Sequence, residues 1–261
     1  MALIRHELRR GRLSLIIWSA ALAFLLAVCV LIYPAMEEQM QQMGDMFSDM
    51  GALSDAFDLG SLGLQDFWGY FGLEFAEMMG LGGSLFAALL GISIIAKEQK
   101  DGTAEFLLTH PISRSRVLTA KLLAMLIQIV LLNAAVFIIT LLCLWIIGEP
   151  IRFGLLCLLF LGVLLLQVEI ACITFGLSSL LRRGGVGIGL GLALGLYFLS
   201  LISNLSEHLD FLKYITPYGF ANASYIVEHS GFEWKYLISL PIVSAAGIWL
   251  AYRRYSTKDI L

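Results

Sequence analysis

Residues 153–181 read FGLLCLLFLGVLLLQVEIACITFGLSSLL. This run of 29 residues carries one charged side chain, Glu169, and no proline. A helix crossing the hydrocarbon core needs about 20 apolar residues. The run therefore exceeds one bilayer thickness, and it must tilt or extend into water. Its apolar residues occupy every side, unlike the single stripe of a soluble surface helix. Lipid offers the backbone no hydrogen-bond partners, so such a run is helical. The short alternating segments of a membrane barrel are absent.

Five further runs qualify, at about 13–36, 75–96, 117–147, 185–203 and 235–252. The 261-residue chain is 59% hydrophobic and 14% charged, against about 45–50% and about 25% in soluble domains. That excludes an ordinary cytosolic enzyme, a disordered chain and a disulfide scaffold. The expected fold is all-α, one membrane domain over 1–261 with six transmembrane helices. The net charge of −3 gives a nucleic-acid partner no electrostatic support. Cys29, Cys143, Cys157 and Cys172 lie in apolar runs, as small hydrophobes do.

Lys and Arg set the orientation. Of the 17, only Arg152, Lys213 and Lys235 fall on one side; the N-terminus, the loop after span two, Arg182, Arg183 and the C-terminus hold the rest. Both termini are therefore expected in the cytoplasm. The first run is too long for a cleaved signal peptide, and Tyr33, Pro34 and acidic residues follow it.

The connecting segments differ in character. Residues 1–14 place Leu3, Ile4 and Leu8 near one helical face among Arg5, His6, Arg9, Arg10 and Arg12, which predicts an amphipathic helix in the cytoplasmic interface. The external segment 37–74 is acidic and lacks Lys and Arg. Met36, Met40, Met43, Met46 and Met50 form a stripe on a helix continuing past the membrane. Such a stripe is adaptable packing surface or a site for soft Cu(I). Phe67, Trp68, Tyr70 and Phe71 read as an interfacial aromatic belt. The segment 204–234 is apolar for a free loop and contains Pro217, which predicts a broken or re-entrant helix dipping into the outer leaflet.

The chemistry-bearing residues are few. There is no GxxxxGK[ST] phosphate loop and no HExxH. His6, His110, His208 and His229 lie outside the apolar cores, so an intramembrane hydrolase lacks its catalytic set. Glu169 is the acidic residue deep in a span, with Gln128, Asn133 and Gln167 as the other deep polar side chains. These are the candidate pathway residues. Glu169 reads either as a substrate- or ion-path group or as a hydrogen-bonded helix contact. Gly187, Gly191 and Gly195 stand four apart and make a small-residue face for close helix packing, within the chain or between protomers.

The loop 97–116 runs from Lys97 and Glu98 through Asp101, Gly102, Thr103, Glu105, Phe106, Leu107, Leu108 and Pro111 to Arg114, with Lys121 beyond it. Asp101-Gly102 signals a turn. Thr103 starts a short helix that Pro111 ends. The two readings are a projecting docking helix and a loop folded against the headgroups.

This segment resembles the cytoplasmic loop of ABC-2 type transporter permeases. The pattern is an acidic residue, Gly-Thr, Glu, two Leu, Pro, Ser-Arg and a Lys on the next span. Glu98, Gly102, Thr103, Glu105, Leu107, Leu108, Pro111, Ser113, Arg114 and Lys121 match it. Thr216-Pro217-Tyr218 and the basic ending Tyr252-Arg253-Arg254-Tyr255 with Lys258 are similar to further elements of that family. The resemblance implies one transmembrane half of an ABC transporter in the plasma or inner membrane. It implies a separate ATP-binding subunit that holds ATP and Mg, none in this chain, and a second permease chain, identical or related. The stretch 101–110 would be the coupling helix, and export is favoured over uptake. The competing reading is a non-transporting membrane scaffold or sensor subunit that docks a cytoplasmic partner.

Overall fold

The computed structural model describes residues 2–48, 66–100, 113–181, 185–205 and 207–257. Among the described residues there are helices and turns and no strand. The chain forms α1 (Ala2–Ser48), α2 (Phe67–Phe75), a π-helical segment (Ala76–Gly82), α3 (Gly83–Lys100), α4 (Arg114–Ile147) and α5 (Phe153–Ser178). Then follow α6 (Val186–Asn204), a 3-10 helix (Glu207–Tyr214), α7 (Ala223–His229), α8 (Trp234–Leu237) and α9 (Ser239–Thr257). Six stretches are long and apolar enough to cross a membrane: Leu3–Glu37, Phe67–Ile95, Arg114–Ile147, Phe153–Ser178, Val186–Ser203 and Trp234–Tyr255. The all-α fold with six spans is as the sequence predicts.

The second and fourth spans form the centre. α5 lies between α3 and α9, which is why its sequence is apolar on every side. Close approach on both flanks rests on glycine. A Cβ on Gly91 would meet the Ala171 carbonyl oxygen at 2.5 Å, and one on Gly176 would meet the Gly247 carbonyl oxygen at 2.6 Å. α1 packs along α4, and both turn exposed apolar side chains outward, among them Phe24, Leu25, Val130, Leu142 and Trp145. Such a surface suits lipid rather than water.

Two expectations are corrected in detail. The second span begins at Phe67 rather than Phe75. Asp66 caps it, accepting from the Gly69 N–H at 2.9 Å. Phe67, Trp68, Tyr70 and Phe71 are therefore buried and do not form an exposed belt. They pack on Tyr33 of α1, and the aromatic column continues through Phe75 to Phe160 of α5, centroids 4.8 Å apart. Rings with apolar faces serve a core as readily as an interface.

Residues 2–14 run straight into the first span as the first turns of α1, which is unbroken for 47 residues, about 70 Å at 1.5 Å per residue. Leu3, Ile4 and Leu8 are half-buried while Arg5, His6, Arg9, Arg10 and Arg12 are exposed. The apolar side faces α4. The Met stripe past Met36 has its side chains outside those described.

The segment 204–234 is broken, as expected, into the 3-10 helix and α7, and Asn222 caps α7 by accepting from the Tyr225 N–H at 3.0 Å. The break continues into the sixth span, where α8 ends at Leu237 and α9 starts at Ser239. Pro241 explains it: proline has no N–H for the Leu237 carbonyl, and its ring crowds that group.

Candidate functional site

Polar side chains cluster at three places around α5 and the π-helical segment. The first joins α4 to α5 and the π-helical segment. Asn133 Nδ2 donates to Gln167 Oε1 at 2.6 Å, and Gln167 Nε2 donates to the Met79 carbonyl at 3.3 Å. Gln167 lies over Gly83, where a Cβ would meet its Nε2. A π-helical turn shifts the carbonyl ladder out of its i→i+4 register, and side chains from elsewhere serve the carbonyls of this one.

The second group lies on the other side of the same π-helical segment. The Tyr197 hydroxyl of α6 donates to Glu77 Oε2 at 2.6 Å. Ser84 Oγ and the Tyr218 hydroxyl share a hydrogen bond of 2.7 Å, and Ser84 also donates to the Leu81 carbonyl. The Tyr197 and Tyr218 rings meet edge to face, centroids 5.6 Å apart. Burial raises the Tyr218 phenol well above its ordinary range, and nearby Glu77 adds to this against the Ser84 hydrogen bond. Tyr218 therefore stays un-ionised and serves as a hydrogen-bonding ring. Glu77 is partly buried.

The third group is Glu169, fully buried on α5. It is two residues from Gln167, about 200° around a helix of 3.6 residues per turn, and it faces α9. Ser239 Oγ reaches its Oε2 at 3.5 Å, and its Oε1 has no hydrogen-bond partner among the described residues.

The four candidate pathway residues therefore do not converge. Asn133 and Gln167 are brought together. Gln128 is buried nearby on α4, bonded to the Ala124 carbonyl and covered by Gly11 of α1. Glu169 points elsewhere. Sequence reasoning passes over Glu77, because an aromatic belt at 67–71 puts residue 77 at a span boundary. Its signal is Glu74 and Glu77 three apart, followed by Gly80, Gly82 and Gly83.

Gly187, Gly191 and Gly195 turn outward on α6: a Cβ on any of them would meet nothing within 4 Å among the described residues. The close approach of α6 to α3 is made by Gly185 and Gly189 against Ile92.

Of the loop residues, Asp101, Gly102, Thr103, Glu105, Phe106, Leu107, Leu108 and Pro111 lie outside the described residues. Glu98 belongs to the last turns of α3, with its side chain outside those described. Arg114 opens α4 and donates to the Tyr255 carbonyl near the end of α9 at 3.5 Å. One turn on, Thr119 Oγ1 and the Tyr252 hydroxyl share a hydrogen bond of 2.6 Å. The loop thus springs from the end of the bundle where α1 begins and α9 finishes. The side chains expected to contact lipid headgroups there, Arg5, Arg9, Arg10 and Arg12, are exposed.

Comparison with curated proteins finds no match. The family model for ABC-2 family transporter proteins matches residues 1–260. With six membrane-spanning helices and a match over nearly its full length, the chain belongs to the ABC-2 transporter family and is a multi-pass membrane protein, a permease component of an ABC transporter.

Proposed function

We propose that this chain is the non-catalytic membrane half of an ABC exporter. A separate subunit binds ATP and Mg and hydrolyses the nucleotide. It seats on the loop 97–116, which enters it as a coupling helix. Two permease chains, identical or related, form the pathway in the plasma or inner membrane, with all termini cytoplasmic. One observation supports this reading above the others: the loop leaves from α3 and α4, and the foot of α4 is bonded to α9 through Arg114 and Thr119. A push on such a loop is delivered to several spans as a rigid-body movement.

The pathway residue we assign is Glu77. A partly exposed carboxylate within a span is costly against lipid, so this face lines water or meets the second chain. Asn133 and Gln167 hold helices together instead, and Gln128 bonds within its own helix.

The test replaces Glu105 and Leu108 together by alanine in the tagged chain, which is then purified with its partners into nanodiscs. Stoichiometric recovery of a nucleotide-binding subunit with the wild type, and its loss with the double variant while the spans stay inserted, is the expected result. Equal recovery with both overturns the loop as the contact element. No such subunit with the intact wild type overturns the transporter reading itself.

A further inference from the structure

Lys121 is the one lysine on the apolar part of α4, and only 1% of it is exposed. Its Nζ donates to Glu7 Oε1 on α1 at 2.9 Å and to the Ile94 carbonyl on α3 at 2.8 Å. A single ammonium therefore joins three helices. Two of them, α3 and α4, are the feet of the loop 97–116, and the third is the start of the chain.

The arrangement is selective in sequence terms. Glu7 is the sole acidic residue before Glu37, set among Arg5, Arg9, Arg10 and Arg12. A buried lysine without an acceptor is strongly unfavourable, and a partly buried carboxylate without a cation little less so. The pair thus fixes the register of α1 on α4 more narrowly than apolar contact would. One turn further, Gly11 lies on the Gln128 side chain, where a Cβ would be 2.3 Å from Oε1. The lack of a side chain at Gly11 lets α1 lie directly on α4 there.

We propose that Lys121 is a positioning residue for energy coupling: its bonds to Glu7 and to the Ile94 carbonyl make the start of α1 and both feet of the loop move as one body. This rests on the loop being the ATPase contact. Displacement of the loop then reaches α1 without any contact between α1 and the ATPase. A pair that served only to hold the fold would be replaceable by apolar side chains of similar volume, as buried ion pairs often are.

The test uses the full complex in nanodiscs, as wild type, Lys121→Met, and Lys121→Met combined with Glu7→Met. Hydrogen exchange is followed by mass spectrometry with and without ATP and vanadate. In the wild type, trapping should change protection together at the start of α1, the end of α3 and the start of α4. In both variants the change should persist in α3 and α4 but be lost in α1. The double variant, which leaves no unpaired charge, should melt close to the wild type, so its loss of response is not unfolding. A double variant whose α1 responds as in the wild type overturns the proposal while leaving the loop as the contact. A wild type in which trapping alters none of the three overturns the coupling reading and the proposal with it.

Discussion

Gly247→Ala adds one methyl group at the crossing of α9 and α5. Its Cβ would lie 2.3 Å from the Cys172 carbonyl oxygen and 2.8 Å from the Cys172 carbonyl carbon, where ordinary contact begins at 3.4 Å. Both are backbone atoms and cannot rotate away, so the helices must part locally by about 1 Å. Overpacking of this kind costs about 1–3 kcal/mol. Against it stands the better helix propensity of alanine, worth about 0.8–1.0 kcal/mol over glycine. Gly191→Ala in the monomeric chain in detergent is the control, because it gains the same propensity and meets nothing within 4 Å among the described residues. The propensity cancels in the comparison, and the two variants should differ by the packing cost alone, about 1–3 kcal/mol. At about 2–4 °C per kcal/mol for chains near this size, Gly247→Ala should melt several degrees below Gly191→Ala. A thiol-reactive fluorophore on the purified chain reads this directly, since Cys143 and Cys172 are buried when folded. Melting of Gly247→Ala at or above Gly191→Ala would refute the reasoning.

Two further outcomes follow from the polar core and the broken sixth span. Gln167→Leu leaves the Asn133 amide without its 2.6 Å partner and should cost about 1–3 kcal/mol; adding Asn133→Leu should recover most of it in the same melting assay, and a double variant less stable than the single would contradict this. Pro241→Ala restores an N–H opposite the Leu237 carbonyl, so hydrogen exchange should show a protected amide at 241 and one helix from 234 to 257. An unprotected amide there would mean that the packing of Tyr236, not proline, enforces the break at Ile238.

The existence of the six spans is legible because lipid demands length and apolarity, both of which are local properties of the sequence. What surrounds each side chain is not local. Phe67, Trp68, Tyr70 and Phe71 have the composition of a belt, yet they are buried against Tyr33, Phe75 and one another. Hydropathy scores a ring alike in either place. The same ambiguity shifts the span boundary and hides Glu77, whose partner Tyr197 is 120 residues away in the chain. Lys121 is visible as a motif residue, but its role depends on Glu7, 114 residues earlier.

The glycines of α6 show the limit most plainly. Residues 184–191 read GGVGIGLG, so two small-residue faces exist at once. One holds Gly185 and Gly189; the other holds Gly187, Gly191 and Gly195. Adjacent members of the two sets are two residues apart, about 200° around the helix. Either face fits the four-residue spacing that lets helices approach closely, and no property of the string ranks them. The bundle does: Ile92 of α3 takes the first face, and a Cβ at Gly189 would stand 2.8 Å from its side chain. The second is left outward beside exposed Leu194 and Phe198. A helix that needed only to pack within its own protomer would have no use for the second face. Three glycines there cost it about 1 kcal/mol each in helix propensity. That cost would be offset if the second permease chain proposed above packed on this face of α6.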